Sequence, residues 1–165
     1  MKVLHMRIGI VAAIALVLIA VNLSIVAKER IKTGGEPIYL ELAPVDPRSL
    51  MQGDYMALRF AIAQEISTEE SGSAALLIDQ RRIARLNPDQ SASGLRIRYR
   101  IRNGQVWLGT NAYFFEEGTA NRFESARYGA FRVDRDSGEA VLVGLVDGDI
   151  EDLGSRAAET NAQGR

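Results

Sequence analysis

Three groups of side chains have types and spacings that could do chemistry. Ser49 stands shortly before Gly53-Asp54, where a serine nucleophile could sit beside a turn. Such a serine needs a general base to take its proton. The single histidine, His5, precedes a long apolar run, no cysteine is present, and no lysine follows Lys32. An acid or a juxtamembrane lysine would have to serve, so a serine hydrolase using Ser49 is the least favoured reading and no catalytic residue is assigned. The second group is Arg96, Arg98, Arg100 and Arg102, alternating with Leu95, Ile97, Tyr99 and Ile101. On a strand they form a row on one face, spaced about 6.6–6.8 Å apart. The row could bind anionic lipid headgroups or acidic glycans. The favoured reading is a solvated face paired with acids such as Glu116 and Glu117 across strands.

The third group is acidic. Glu116 and Glu117 are adjacent, so on a strand they face opposite ways and make no carboxylate dyad. Either could instead sit near the N-terminus of a following helix. Asp147, Gly148, Asp149, Glu151 and Asp152 lack the ligand spacing of a calcium loop and read as a solvated edge. With no cysteine and no histidine beyond His5, no metal site and no cofactor is expected.

The element that positions all of this is an anchor. Ile8 to Ala27 is an uncharged run of 20 residues. As a helix it spans roughly 30 Å, the thickness of a bilayer's hydrocarbon core. Cleaved leaders have shorter apolar cores, roughly 7–15 residues, and end in a small-x-small site. Cleavage after Ala27 would put Ile25 at the −3 position, so the segment is read as a retained signal anchor. Basic residues flank both ends (Lys2 and Arg7 before, Lys28, Arg30 and Lys32 after), and charge alone does not choose the orientation. A short tail before a long domain favours the tail inside. At 100° per residue Gly9, Ala13, Leu16, Ala20, Ser24 and Ala27 share a narrow stripe, a candidate docking face for another membrane helix.

The remaining chain divides into a tail 1–7, the span 8–27, a linker 28–35, a domain 36–153 and a flexible tail 154–165. Beyond residue 32 lie 15 of the 20 basic and 20 of the 21 acidic residues, a poor surface for nucleic acid. Ile38, Leu40 and Leu42 alternate with Tyr39 and Glu41, which predicts a half-buried strand. Pro44 to Ser49 reads as a turn, and a long strand carrying Met56, Leu58, Phe60 and Ile62 on its inner face follows Gly53. If these two strands pair, Glu41 and Arg59 share the outer face and could form an ion pair. Ala74 to Leu86 reads as one or two strands, Leu95 to Arg102 as the clearest one. Asn103-Gly104 predicts a type I′ turn into a partner strand from Gln105. A further strand is expected at Ala112 to Phe115, a short helix capped by Thr119 over about 120–128, and a hairpin of Phe131–Val133 with Ala140–Val146 turned at Asp136-Ser137-Gly138. The expected fold is mainly β, an antiparallel sandwich or open barrel with one short helix, preceded by a single transmembrane helix.

Gly53-Asp54-Tyr55-Met56-Ala57-Leu58-Arg59-Phe60 resembles the signature of the family named for its GDYXXLXY motif, with Phe60 in place of the last tyrosine. The resemblance extends to Lys28-Glu29, Leu40 to Gln52, Tyr113 to Gly118, Tyr128 to Val133 and Gly138 to Leu145. It implies a bacterial membrane-anchored protein without an established activity, a companion of polytopic membrane proteins. The motif reads as a turn-and-strand signature of the fold, with Gly53 free to take positive φ and Asp54 accepting from turn N–H groups. As a binding motif its residues would be Asp46, Pro47, Arg48, Gly53, Asp54, Tyr55, Leu58 and Phe60.

The resulting expectation is a non-enzymatic accessory domain, held in a bacterial inner membrane with the N-terminus cytoplasmic and the domain periplasmic. Its partners would be the lipid bilayer and a polytopic membrane protein. The alternative is an envelope ligand-binding module for anionic lipid or glycan. The residues carry no signal for or against self-association.

Overall fold

The computed structural model describes residues 2–43, 51–52, 55–67 and 69–154. Helix α1 covers Lys2–Gly34. It is long and apolar enough to cross a membrane, and none of the described residues covers its apolar stretch. Residues 28–34, expected as a linker, continue the helix. Lys28 to Lys32 contains no glycine or proline to interrupt it, and Lys32 pairs with Glu29 at 3.3 Å one turn away. The helix stops at Gly34, where two successive glycines interrupt it. The Gly35 N–H donates to the Ile31 carbonyl at 2.8 Å. A Cβ on Gly35 would stand 2.5 Å from that oxygen and 3.1 Å from the Val133 nitrogen, so only glycine lets the helix end abut the sheet. Ile31 is the helix residue that the domain buries, at 7% exposure. Lys28 pairs with Glu139 across the same junction.

Among the described residues the strands are β1 (Glu36–Glu41), β2 (Met51–Gln52), β3 (Tyr55–Ala57), β4 (Gly72–Ile78), β5 (Ile83–Leu86), β6 (Arg96–Arg102), β7 (Gln105–Trp107), β8 (Ala112–Phe114), β9 (Tyr128–Val133) and β10 (Ala140–Val146), with a short helix, α2 (Ile62–Glu65). Seven of them form a curled half-barrel sheet in the order β10-β9-β1-β5-β4-β6-β7, and a small sheet runs β2-β3-β8. The fold is mainly β, as the alternation predicts, but the large sheet is mixed rather than antiparallel. β1 and β5 run parallel, with Tyr39 opposite Ile83. The chain leaves β1, crosses over through β2, β3 and α2, and returns by the antiparallel β4–β5 pair. That return brings β5 alongside β1 in the same direction.

The crossover fills the core. Met56, Leu58, Phe60 and Ile62 are all at most 4% exposed, so the inner face is the expected one. The single long strand expected there is instead broken into β3, an isolated bridge between Leu42 and Phe60, and α2. The chain must bend to carry its apolar side chains across the curled sheet, and it meets Ile38, Leu40, Ile97, Phe131 and Val133. Segments 41–43 and 59–61 do pair, through Ala61 N–H to Glu41 O at 2.9 Å and Ala43 N–H to Arg59 O at 2.8 Å. The Glu41–Arg59 ion pair is not among those formed by the described residues.

Turn chemistry holds where it is local. Asn103 and Gly104 have φ of 51° and 70°, both left-handed as a type I′ turn requires. The β9–β10 hairpin turns through Asp134, whose Oδ1 accepts from the Ser137 N–H at 2.8 Å. The tip of that hairpin closes the half-barrel: the Arg98 N–H donates to Gly138 O at 2.7 Å, where β7 no longer covers the edge of β6. The expected helix at 120–128 is only a 3-10 turn, Ala120–Phe123, that buries Phe123. The Thr119 hydroxyl donates to Glu116 O at 2.6 Å and caps no N–H, leaving too short a stretch to propagate an α-helix. Leu153 is buried and bonded to Leu145 O at 3.0 Å. The flexible tail expected over 154–165 lies, past Gly154, outside the described residues.

Candidate functional site

The arginine row divides. Arg96 is tied down by its own domain, its guanidinium donating to Ser73 Oγ and O and to Gln90 O at 2.8–3.1 Å. Arg98, Arg100 and Arg102 instead line a cleft of about 140 Å³ together with Lys28, Trp107 and Glu139. Arg102 lies over the Trp107 ring, 5.2 Å from its centroid, a cation–π contact across the β6–β7 hairpin. The acids expected to neutralise the row, Glu116 and Glu117, do not line this cleft. Glu139 does, and it is engaged by Lys28. Four cations and one carboxylate therefore face one opening. β6 positions the arginines, because alternate residues of a strand share a face. The Gly138 contact holds the start of β10 against them, and the unbroken end of α1 delivers Lys28. The part played by Lys28 was not legible in the chain, since nothing local links it to residues 98–139.

The motif residues build the fold. Leu58 and Phe60 are each 2% exposed. The Leu58 N–H donates to Asn111 O at 2.7 Å, and Phe60 stands edge-on to Phe131 with centroids 5.2 Å apart. Asp46, Pro47, Arg48, Ser49, Gly53 and Asp54 lie outside the described residues. Met51 pairs with Met56 and Gln52 with Tyr55. On the outer side of β3, Tyr55 tilts against Phe114 at 5.8 Å, and Phe114 is 74% exposed. Behind it Tyr113 packs on Phe123. Burial, with the Asp152 carboxylate second, raises the Tyr113 phenol's pKa.

The acidic edge is a turn. Asp147 Oδ1 accepts from the N–H groups of Asp149 and Glu151, both at 3.0 Å, with Ile150 at a φ of 67° between them. Among the described residues no three His, Cys, Asp or Glu side chains converge as a metal site would require.

The stripe on α1 is exposed along Gly9, Ala13, Leu16, Ala20 and Ser24. Ile31, the residue docked on the domain, has the same helical phase as Ala13, and all five stripe positions fall within about 60° of it at 100° per residue. The domain therefore sits over the stripe's side of the helix.

A family model described as the GDYXXLXY protein matches residues 17–145, from the middle of α1 to near the end of β10. No curated protein and no solved structure matches the chain. The match takes in the second half of the membrane-length helix, the motif crossover and the whole arginine row, and on that extent the chain belongs to the GDYXXLXY protein family.

Proposed function

We propose that this protein is a non-enzymatic accessory subunit, a single-pass anchor in a bacterial inner membrane whose periplasmic β domain sits on a polytopic membrane partner. One observation carries the reading. The helix face that holds the small residues is the face over which the domain is docked, through Ile31 and the Lys28–Glu139 pair. A partner helix packed closely on Ala13 and Ala20 would lie beneath the domain, so lipid-level and surface contacts would act on one partner. The continuous helix makes the arrangement stiff, because no flexible linker separates the span from the sheet. The lack of a histidine or lysine in the domain to activate a serine supports the non-enzymatic part.

The test is site-specific photo-crosslinking in native membranes at native expression. Crosslinkers at Ala13 and Ala20 are expected to capture an integral membrane protein, whereas those at Val11 and Leu18, on the opposite face, capture lipid. Equal capture from both faces, or none from either, would sink the proposal. A second reading, an envelope ligand-binding module for anionic lipid or glycan, is favoured by the uncompensated cations of the cleft.

A further inference from the structure

We infer that the cleft between Lys28 and the arginines of β6 binds the phosphate of an anionic lipid headgroup. The inference takes up the second reading and rests on the membrane anchoring, not on a partner protein. Lys28 directly follows Ala27, the last residue of the uncharged run, so its ammonium stands where the helix leaves the hydrocarbon. The same ammonium lines the cleft with Arg98, Arg100 and Arg102. The cleft therefore opens at headgroup level, and Trp107 in its wall is the side chain type that settles at that level.

The electrostatics point to an anion. The domain beyond residue 32 is acidic overall, yet the cleft gathers four cations against the single carboxylate of Glu139. The Arg98 and Arg100 guanidinium groups have no ion pair among the described residues. Their forks match a phosphate's oxygens, and Lys28 supplies a third cation from the membrane side. Glu139 already occupies Lys28, so an arriving phosphate competes with that carboxylate for the ammonium. A water-soluble phosphate offers the same oxygens, but a tethered headgroup is held at the level of the cleft and needs no capture from solution.

Trp107 is the chain's one tryptophan, so its emission reports on this cleft alone. The full chain is placed in phosphatidylcholine nanodiscs with rising fractions of phosphatidylglycerol. A saturable change in Trp107 emission is expected, with none when only phosphatidylcholine is present. In Arg98→Gln/Arg100→Gln the half-saturation point should move up at least tenfold, since each surface cation contributes several-fold to anionic-lipid affinity. Glu139→Gln should move it down about threefold, a gain that misfolding cannot produce. Identical titrations for wild type and the double arginine variant would overturn the inference. So would an equal response to millimolar inorganic phosphate in phosphatidylcholine discs, which would assign the site to a free anion. Photo-capture from Ala13 and Ala20 is independent of each of these outcomes.

Discussion

The ring of Phe60 occupies the space a side chain on Gly129 would need: a Cβ there would meet Phe60 Cε1 at 2.8 Å and Leu142 Cδ1 at 3.1 Å. The family-signature residue and a strand glycine nearly 70 positions later thus form one packing unit, with Phe131 edge-on to the same ring. Gly129→Ala is expected to destabilise the full chain in detergent by roughly 1–3 kcal/mol through overpacking. Phe60→Leu, costly alone, should recover part of that loss in the double variant. Additive losses in a double-mutant cycle of denaturation midpoints would refute the coupling.

Phe60 and Asn111 line one cavity of about 220 Å³. Asn111 Oδ1 is buried without a hydrogen-bond partner among the described residues. Phe60→Tyr, which restores the family's tyrosine, brings a donor to that cavity. The expected gain is about 1 kcal/mol, seen as a Tm rise of a few degrees and abolished in an Asn111→Ala background. An unchanged or lower Tm would show that the hydroxyl does not reach the amide.

Glu36 sits at the junction of α1 and the sheet. Hydrogen bonds from Arg135 first and Arg82 second hold its carboxyl below the ordinary value of 4.5. A lowered folded-state pKa contributes stability in full above the unfolded value and loses it as pH falls through the folded value. Tm is expected to decline below about pH 4.5, with a shallower decline in Glu36→Gln. Asp134 and Asp89, lowered by Ser137 and Ser91 in their turns, keep the acid limb from vanishing. Superimposable pH curves for wild type and Glu36→Gln would remove Glu36 from this account.

Helical phase gives a further check on the proposed partner. Two alanines inserted between Ala27 and Lys28 rotate the stripe by about 200° relative to the domain, and four rotate it by about 40°. Recovery of the membrane partner is expected to fall severalfold with two and to return in large part with four. A loss that simply deepens with insertion length would mean that reach, not phase, governs the interaction.

The junction itself separates weak from strong contacts. Lys28→Ala removes an exposed ion pair and should change stability by about 0–1 kcal/mol. Gly35→Ala drives a Cβ into the Ile31 carbonyl and the β9 backbone, so it should undock the helix end and open residues 33–36 to protease. Equal protease resistance in the two variants would show that Gly35 does not hold the junction.

Much of this molecule is written in short-range patterns. The uncharged run from Ile8 marks a helix of membrane length because burial in lipid needs about twenty consecutive apolar residues. The alternation at Ile38-Leu40, Met56-Leu58-Phe60 and Leu95-Ile97 assigns inner faces because a strand turns its side chains by period two. Asn103-Gly104 specifies its turn because both residues tolerate positive φ. These signals need only neighbours, and they survived folding even where the expected long strand broke into pieces.

Tertiary structure decided what depends on surfaces meeting. The parallel seat of β5 beside β1 follows from the crossover's path over the curled sheet, and no residue in either strand announces it. The hairpin tip at Gly138 reaches Arg98 only because the sheet curls. Lys28 joins arginines seventy residues away because α1 continues past its apolar run and Gly35 lets it abut β9. The charges of the cleft are visible in the chain, but their convergence is a property of packing, since local spacing carries no information about which distant faces exclude water together.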